Sequence, residues 1–159
     1  MRATAVLARK WRSFASYTST TRWLFPVAFV LLGAARLTIL LLPFRLYARW
    51  LGRRDDSRAA SAAPADTQTA MDIARAVRAA AGITPWQSIC LPQALAAVTL
   101  LRAFGLAYTA HLGVARGRSL DKPMEAHAWV RSGDVVLTGA GEIGRYAVVA
   151  TYRGSGKSD

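Results

Sequence analysis

The amino-acid sequence predicts an α+β protein: N-terminal hydrophobic helices, then a helix that begins at the only cysteine, then a small antiparallel sheet. Apolar residues recur at helical spacing in the first two thirds of the chain, and they partly alternate with polar residues after residue 106. Clusters of Gly, Pro, Ser and Asp separate these segments, as turns require. The 159 residues, 53% of them hydrophobic, suffice for one domain with an appendage.

Composition divides the chain into four parts. A basic and hydrophobic helical region comes first, followed by a small, polar, alanine-rich linker, a core and a polar tail that is expected to be disordered. Their bounds are 1–54, 55–68, 69–152 and 153–159. The first helix of the core is predicted over 68–81, with Asp66 or Thr67 as its N-cap.

The apolar segment 23–44 is long enough to cross a membrane, for which roughly 20 apolar residues suffice. Arg36 in mid-span costs about 2.5 to 3.5 kcal/mol, and each large aliphatic residue returns about 0.3 to 0.6 kcal/mol, so insertion stays mildly favourable. A buried helix fits the same composition. We expect helices that cover the core, because a core of about ninety residues buries a poor fraction of its surface. A short basic amphipathic segment follows over 45–53; a membrane-surface helix and an ordinary solvated face both fit it, and we expect the solvated face.

Cys90 is predicted to lie at the N-terminus of a helix that ends before Gly105. Leu91 and Leu95 have helical spacing, and Pro92 is tolerated in a first turn. Free amide donors and the positive end of the helix dipole stabilise a thiolate there, which prepares a nucleophile. A lone cysteine is also frequently a small buried hydrophobic residue, so the helix by itself leaves both roles open.

Strands are predicted after the cysteine-bearing helix, where apolar and polar residues begin to alternate. Segment 116–123 is predicted as a loop, and 132–134 as the turn of a hairpin. The four predicted strands span 107–115, 126–130, 135–138 and 146–152.

The net charge of +12, from 21 Lys and Arg against 9 Asp and Glu, limits the classes of partner. Nucleic acid, an anionic membrane surface and an acidic peptide or protein would each suit it. The arginines are scattered and no nucleic-acid motif is present, so we expect no nucleic-acid partner. One cysteine excludes an internal disulfide, and with two histidines it leaves few ways to bind a metal, so we expect neither metal nor cofactor.

Four sequence blocks in a fixed order carry a resemblance to a known family. They are CLPQAL at 90–95, LLRAFGL at 100–106, HLGVA at 111–115 and EAHAWV at 125–130. With them the chain resembles the lasso-peptide leader peptidases, transglutaminase-like cysteine proteases of bacterial ribosomal-peptide maturation. The N-terminal segments AARL at 34–37 and LLPFR at 41–45 also resemble the hydrophobic region of that family.

The resemblance implies a papain/transglutaminase-like core with Cys90 as the nucleophile and His127 as the general base. The family often has an aspartate about a dozen residues after that histidine, where this chain has Gly139. Asp134 and Glu142 are candidates to replace it as the orienting carboxylate. Asp134 is alternatively a plain turn residue, and Glu142 is alternatively a solvated surface residue. A backbone carbonyl or a water molecule could orient His127 in their place.

Trp129, His111 and Trp86 are the predicted substrate-binding residues. Trp129, two residues after His127, points to the same face of its strand, where it walls a pocket or belongs to the core. His111 is expected to line the pocket, because catalysis requires only one base. Trp86, just upstream of Cys90, is expected to line the oxyanion region.

The resemblance implies removal of the leader peptide from a lasso-peptide precursor in the cytoplasm, before an ATP-dependent macrolactam synthetase acts. The segment before residue 23 has no room for a leader-recognition domain, so a separate leader-recognition (RRE) protein is the expected partner. Two alternatives stay open. One is a non-catalytic transglutaminase-like partner protein, suggested by Gly139; the other is a basic membrane-associated protein in which Cys90 only fills the core.

Overall fold

Four helices and a five-stranded antiparallel sheet make up the computed structural model, which describes residues 17–55, 66–119, 122–141 and 143–156. The fold is α+β, as predicted. The helices are α1 (Ser19–Leu41), α2 (Phe44–Tyr47), α3 (Thr67–Ala81) and α4 (Cys90–Ala103), with 3-10 turns at Ala48–Leu51 and Ile143–Arg145. The strands are β1 (Arg53–Arg54), β2 (Tyr108–Ser119), β3 (Lys122–Ser132), β4 (Val135–Thr138) and β5 (Ala147–Gly154), in the spatial order β1-β5-β2-β3-β4.

The hydrophobic core lies between the helices and one face of the sheet. Successive strand residues point to opposite faces, and in β3 Ala128 and Val130 belong to the core cluster. Ala110 of β2 lies directly opposite Val130 and is also in that cluster. The helices contribute a matching set of fully buried side chains: Ile73, Val77, Ala97, Val98 and Leu101.

Helix α1 packs against α3 and α4 with one face only. Leu24, Ala28, Leu32 and Ala35 are buried at intervals of four, four and three residues, which is the spacing of one helix face. The expectation that the segment 23–44 covers the core holds for this face, and the opposite face is exposed.

The N-terminus of α1 is fixed to α3 by a buried carboxylate. Asp72, only 3% exposed, accepts hydrogen bonds from the hydroxyl groups of Thr18 (2.8 Å) and Thr21 (2.9 Å). Burial alone would raise the pKa of Asp72, but the hydrogen bonds from these two hydroxyls help to hold it below its usual range. Gln68 and Arg75 add further contacts to the same carboxylate.

Three element bounds differ from the sequence predictions. The predicted loop 116–123 is wrong in its described part, because β2 and β3 continue through it as a ribbon in which Arg116 pairs with Met124. The N-terminal region adds β1 to the sheet beside β5, and β5 extends to Gly154. Asp66 is the N-cap of α3, accepting from the Thr69 amide at 3.1 Å. Linker residues 56–65 and tail residues 157–159 lie outside the described residues.

Candidate active site

Cys90 is the first residue of α4 and is half-buried against the core cluster. The preceding residue, Ile89, is extended, and its carbonyl accepts the first helical hydrogen bond from the Gln93 amide at 3.3 Å. Gln93 also donates through Nε2 to the carbonyl of Ser88 at 2.7 Å, which fixes the approach to the helix. The amides of Cys90 and Leu91 have no partner within the helix, so two donors are available beside the thiol.

His127 lies on β3 and donates a hydrogen bond through Nε2 to the carbonyl oxygen of Gly139, at 2.9 Å. A carbonyl oxygen can only accept, so Nε2 carries the proton in the neutral imidazole. The lone pair therefore lies on Nδ1, and this nitrogen is the one that can take a proton. Gly139 holds the position where the resemblance led us to expect an aspartate, and its backbone does the orienting.

Two aromatic rings fix the plane of the His127 imidazole. Tyr146 stacks on it with 4.8 Å between ring centroids and 29° between planes, and Trp129 stacks at 5.9 Å and 26°. Trp129 is 3% exposed but lies outside the helix-facing core cluster, so it is buried on the other face of the sheet. Gly113 makes room for this arrangement, since a Cβ there would meet both the Trp129 ring and Tyr146.

Arg145 fixes the segment that carries Tyr146. Its guanidinium contacts the Glu125 carboxylate at 2.7 Å and donates to the Arg116 carbonyl, both on the β2–β3 ribbon. The same guanidinium lies 5.6 Å from the centre of the Tyr146 ring. The hydrogen bond from Arg145 is the main reason that the pKa of Glu125 lies below its usual range. The sequence analysis placed Tyr146 in the last strand and did not identify Arg145 or Tyr146 as part of the site.

His111 lies on the same sheet face, next to the ring of Trp129 at 5.3 Å between centroids. Its Nδ1 is 3.1 Å from the hydroxyl oxygen of Thr151. Burial, followed by the positive charges of Arg131 and Arg153, lowers the pKa of His111 and favours the neutral ring. His111 thus borders the Trp129–His127 stack without contributing a cation.

The thiol and the imidazole are not in hydrogen-bond contact. Within the described part of the chain the Cys90 side chain makes no hydrogen bond, and the single side-chain hydrogen bond of His127 goes to Gly139. Strand alternation places Ala128 under the helices and His127 on the other face. Strand β4 pairs with β3 only from Val130 to Ser132, and Gly139 lies against the carbonyl of Ala128; among the described residues no strand pairs with the earlier part of β3 on that side.

The remaining predicted site residues lie farther from the imidazole. Asp134 is exposed in the turn between β3 and β4, at the opposite end of that strand pair from Gly139. Glu142 lies outside the described residues. Trp86 packs against α1, with its ring 5.3 Å from that of Phe29.

A helix that begins at a half-buried cysteine, followed by an antiparallel sheet that holds a tautomer-fixed histidine, defines a transglutaminase-like class of protein. Comparison with family models agrees: the model described as the transglutaminase-like superfamily matches residues 38–151. The chain belongs to this superfamily, which includes cysteine peptidases. Comparisons with curated proteins and with solved structures find no match.

Proposed function

We propose that this protein is a cysteine peptidase that removes the leader peptide from a lasso-peptide precursor. Cys90 is the nucleophile and His127 the general base. The observation that supports this most directly is the hydrogen bond from His127 Nε2 to the Gly139 carbonyl, because it leaves Nδ1 free to accept a proton. The resemblance of the four sequence blocks to leader peptidases supplies the substrate class.

The proposed reaction is acyl transfer through a thioester. The Cys90 thiol gives its proton to His127 Nδ1, and the thiolate attacks the scissile carbonyl carbon. The amides of Cys90 and Leu91 donate to the oxyanion. Collapse breaks the C–N bond, and the leaving amine takes the proton from Nδ1. Water, deprotonated by the same nitrogen, then hydrolyses the thioester and restores the thiol.

Catalysis on this scheme requires the thiol to come within hydrogen-bond reach of Nδ1. Because Cys90 packs against the helix-facing core and His127 lies on the other face of the sheet, the scheme requires a rearrangement that brings the two side chains together. The part of β3 before Ala128, which no described strand pairs on the β4 side, supplies the place where an extended peptide would pair with the sheet. A peptide bound there lies next to the imidazole.

The proposed partners follow from the substrate. A separate leader-recognition protein presents the precursor, and a macrolactam synthetase uses the released core peptide. The net charge of +12 would accelerate association with an acidic leader or an acidic face of the partner. Association that weakens as salt rises is the expected result, and salt-independent association would contradict this steering role.

Mass spectrometry of a candidate precursor, incubated with the protein and its leader-recognition partner, tests the proposal. The variants are Cys90→Ser and His127→Gln, the second of which keeps an amide donor for the Gly139 carbonyl but has no base. Cleavage by the wild type that is lost in both variants, with unchanged thermal unfolding, supports a Cys–His peptidase. An intact precursor with a verified partner favours the non-catalytic partner role, and cleavage by both variants excludes the assigned residues.

A further inference from the structure

The outward face of α1 is apolar along its whole length. Six exposed residues, four, three, four, three and four positions apart, form this face. We call it the α1 outer face; it consists of Trp23, Val27, Val30, Ala34, Leu37 and Leu41. The exposed fractions of the largest members are high: 79% for Trp23, 69% for Val30 and 76% for Leu41. At 1.5 Å per residue this stripe is about 27 Å long.

Exposed apolar side chains continue beyond the helix. Leu42, Phe44, Leu46 and Trp50, which follow the helix in the chain, are also 44–55% exposed. An exposed apolar helix face about 27 Å long is unusual on a soluble monomer and indicates an interaction site.

The described segment that carries this surface has charges of one sign. Residues 17–54 contain no Asp or Glu and six arginines: Arg22, Arg36, Arg45, Arg49, Arg53 and Arg54. Arg22 directly precedes the stripe, and Arg45 and Arg49 lie among the apolar residues that follow it in the chain; all three are exposed.

We propose that the α1 outer face binds the surface of an anionic lipid bilayer, with α1 parallel to the membrane plane. Apolar side chains enter the interface while arginines at both ends contact lipid phosphates, the arrangement that interfacial helices use. Trp23 lies at the N-terminal end of the α1 outer face, where an amphipathic indole ring favours the headgroup region.

A membrane span and a second copy of the chain fit the observations less well. To span, α1 would have to detach its buried face from α3 and α4 and break the contact between Thr21 and the Asp72 carboxylate. Two copies joined through the same face would bring cationic segments together with no acidic residue from 17–54 to compensate.

Co-sedimentation of the full-length protein with vesicles tests the proposal, using phosphatidylcholine with or without phosphatidylglycerol. The double variant Val30→Glu/Leu37→Glu adds two charges to the α1 outer face. Ile83→Glu/Met124→Glu is the matched control, since these side chains are 49% and 65% exposed elsewhere on the molecule. We expect binding only to the anionic vesicles, weakened by salt, at least tenfold lower in the first variant and unchanged in the second.

Four results would overturn the proposal. Three come from co-sedimentation: no binding to either vesicle, equal binding to both lipid compositions, and an equal loss of binding in both variants. The fourth is wild-type protein that resists alkaline extraction from cell membranes, which indicates a span. Sedimentation equilibrium adds a fifth: a lipid-independent dimer that Val30→Glu/Leu37→Glu converts to monomer assigns the face to self-association. The comparison of wild-type binding to the two lipid compositions uses no variant, so it decides the test even when a variant misfolds. The outcome is independent of the proposed peptidase activity.

Discussion

The Nε2 atom of His127 donates its hydrogen bond to the backbone carbonyl of Gly139, twelve residues later in the chain, at 2.9 Å. The position where a carboxylate side chain was expected therefore orients the imidazole through the main chain. Gly139 has φ +69°, a left-handed conformation that glycine adopts without strain. The histidine therefore has an orienting acceptor even though this position holds no aspartate.

We expect Gly139→Asp to destabilise the protein and not to improve activity. A Cβ at this position would collide with the carbonyl of Ala128 and approach the Cβ of Trp129. The left-handed backbone alone costs an L-residue about 1–2 kcal/mol, to which the collision adds. Thermal or urea unfolding measures the change in the free energy of unfolding.

Gly141→Ala is the control for this substitution. A Cβ on Gly141 meets nothing within 4 Å, and this glycine has no positive φ. Its stability should stay within about 0.5 kcal/mol of the wild type. Equal stability of the Gly139 and Gly141 variants would contradict the strained turn described here.

Tyr146→Ala should lower the turnover number more than it raises KM, because the ring orients His127 and has no assigned contact with substrate. Tyr146→Phe keeps the stacking ring at 4.8 Å and should retain most of the activity. Steady-state cleavage of the precursor by the three proteins separates kcat from KM. Equal losses in the Phe and Ala variants would assign the role to the hydroxyl group instead.

The sequence predicted the helices and strands of the buried core closely, because burial imposes a period on them. The helix predicted over 68–81 is Thr67–Ala81, and Cys90 begins its helix as expected. The strand residues 116–119 and 122–123 were missed because they are mostly exposed and carry no apolar alternation.

Contacts made by the backbone, or between residues far apart in the chain, left no sequence signal. The Gly139 carbonyl is invisible in a residue pattern, and the contact between Thr21 and Asp72 joins residues 51 positions apart. The assignment of Cys90 and His127 as a catalytic pair is untested by the fold and stays a prediction. Measurements of precursor cleavage and of Cys90 alkylation can decide it.

Asp72→Ala should destabilise the packing of α1 on α3. The substitution leaves the buried hydroxyl of Thr21, 0% exposed, without its carboxylate acceptor, and an unsatisfied buried group costs about 1–3 kcal/mol. Asp72→Asn keeps one acceptor oxygen and should lose less. Urea unfolding of the two variants gives the comparison, and equal stability of Asp72→Ala and wild type would contradict the role of this carboxylate.

Stability should fall as the pH drops below about 6.5, the ordinary pKa of histidine. The pKa of His111 is lowered in the folded protein, so the unfolded chain binds more protons between that lowered value and 6.5. Above this window the ring is neutral in both states and contributes no pH dependence. His111→Gln should show a shallower loss of stability as the pH falls below about 6.5, and an identical slope would contradict the assignment.

Alkylation of Cys90 by iodoacetamide tests whether the thiol and His127 act together, without any peptide substrate. Cys90 is the only cysteine, so every modified molecule reports on this thiol. The proposed reaction requires the imidazole to accept the thiol proton, so it predicts that alkylation at pH 7 is about tenfold slower in His127→Gln than in the wild type. His111→Gln removes the other histidine and serves as the comparison, with an expected rate close to that of the wild type. Equal rates in the wild type and in His127→Gln would show that the two groups are uncoupled in the free protein, and coupling would then have to arise on peptide binding at the edge of β3.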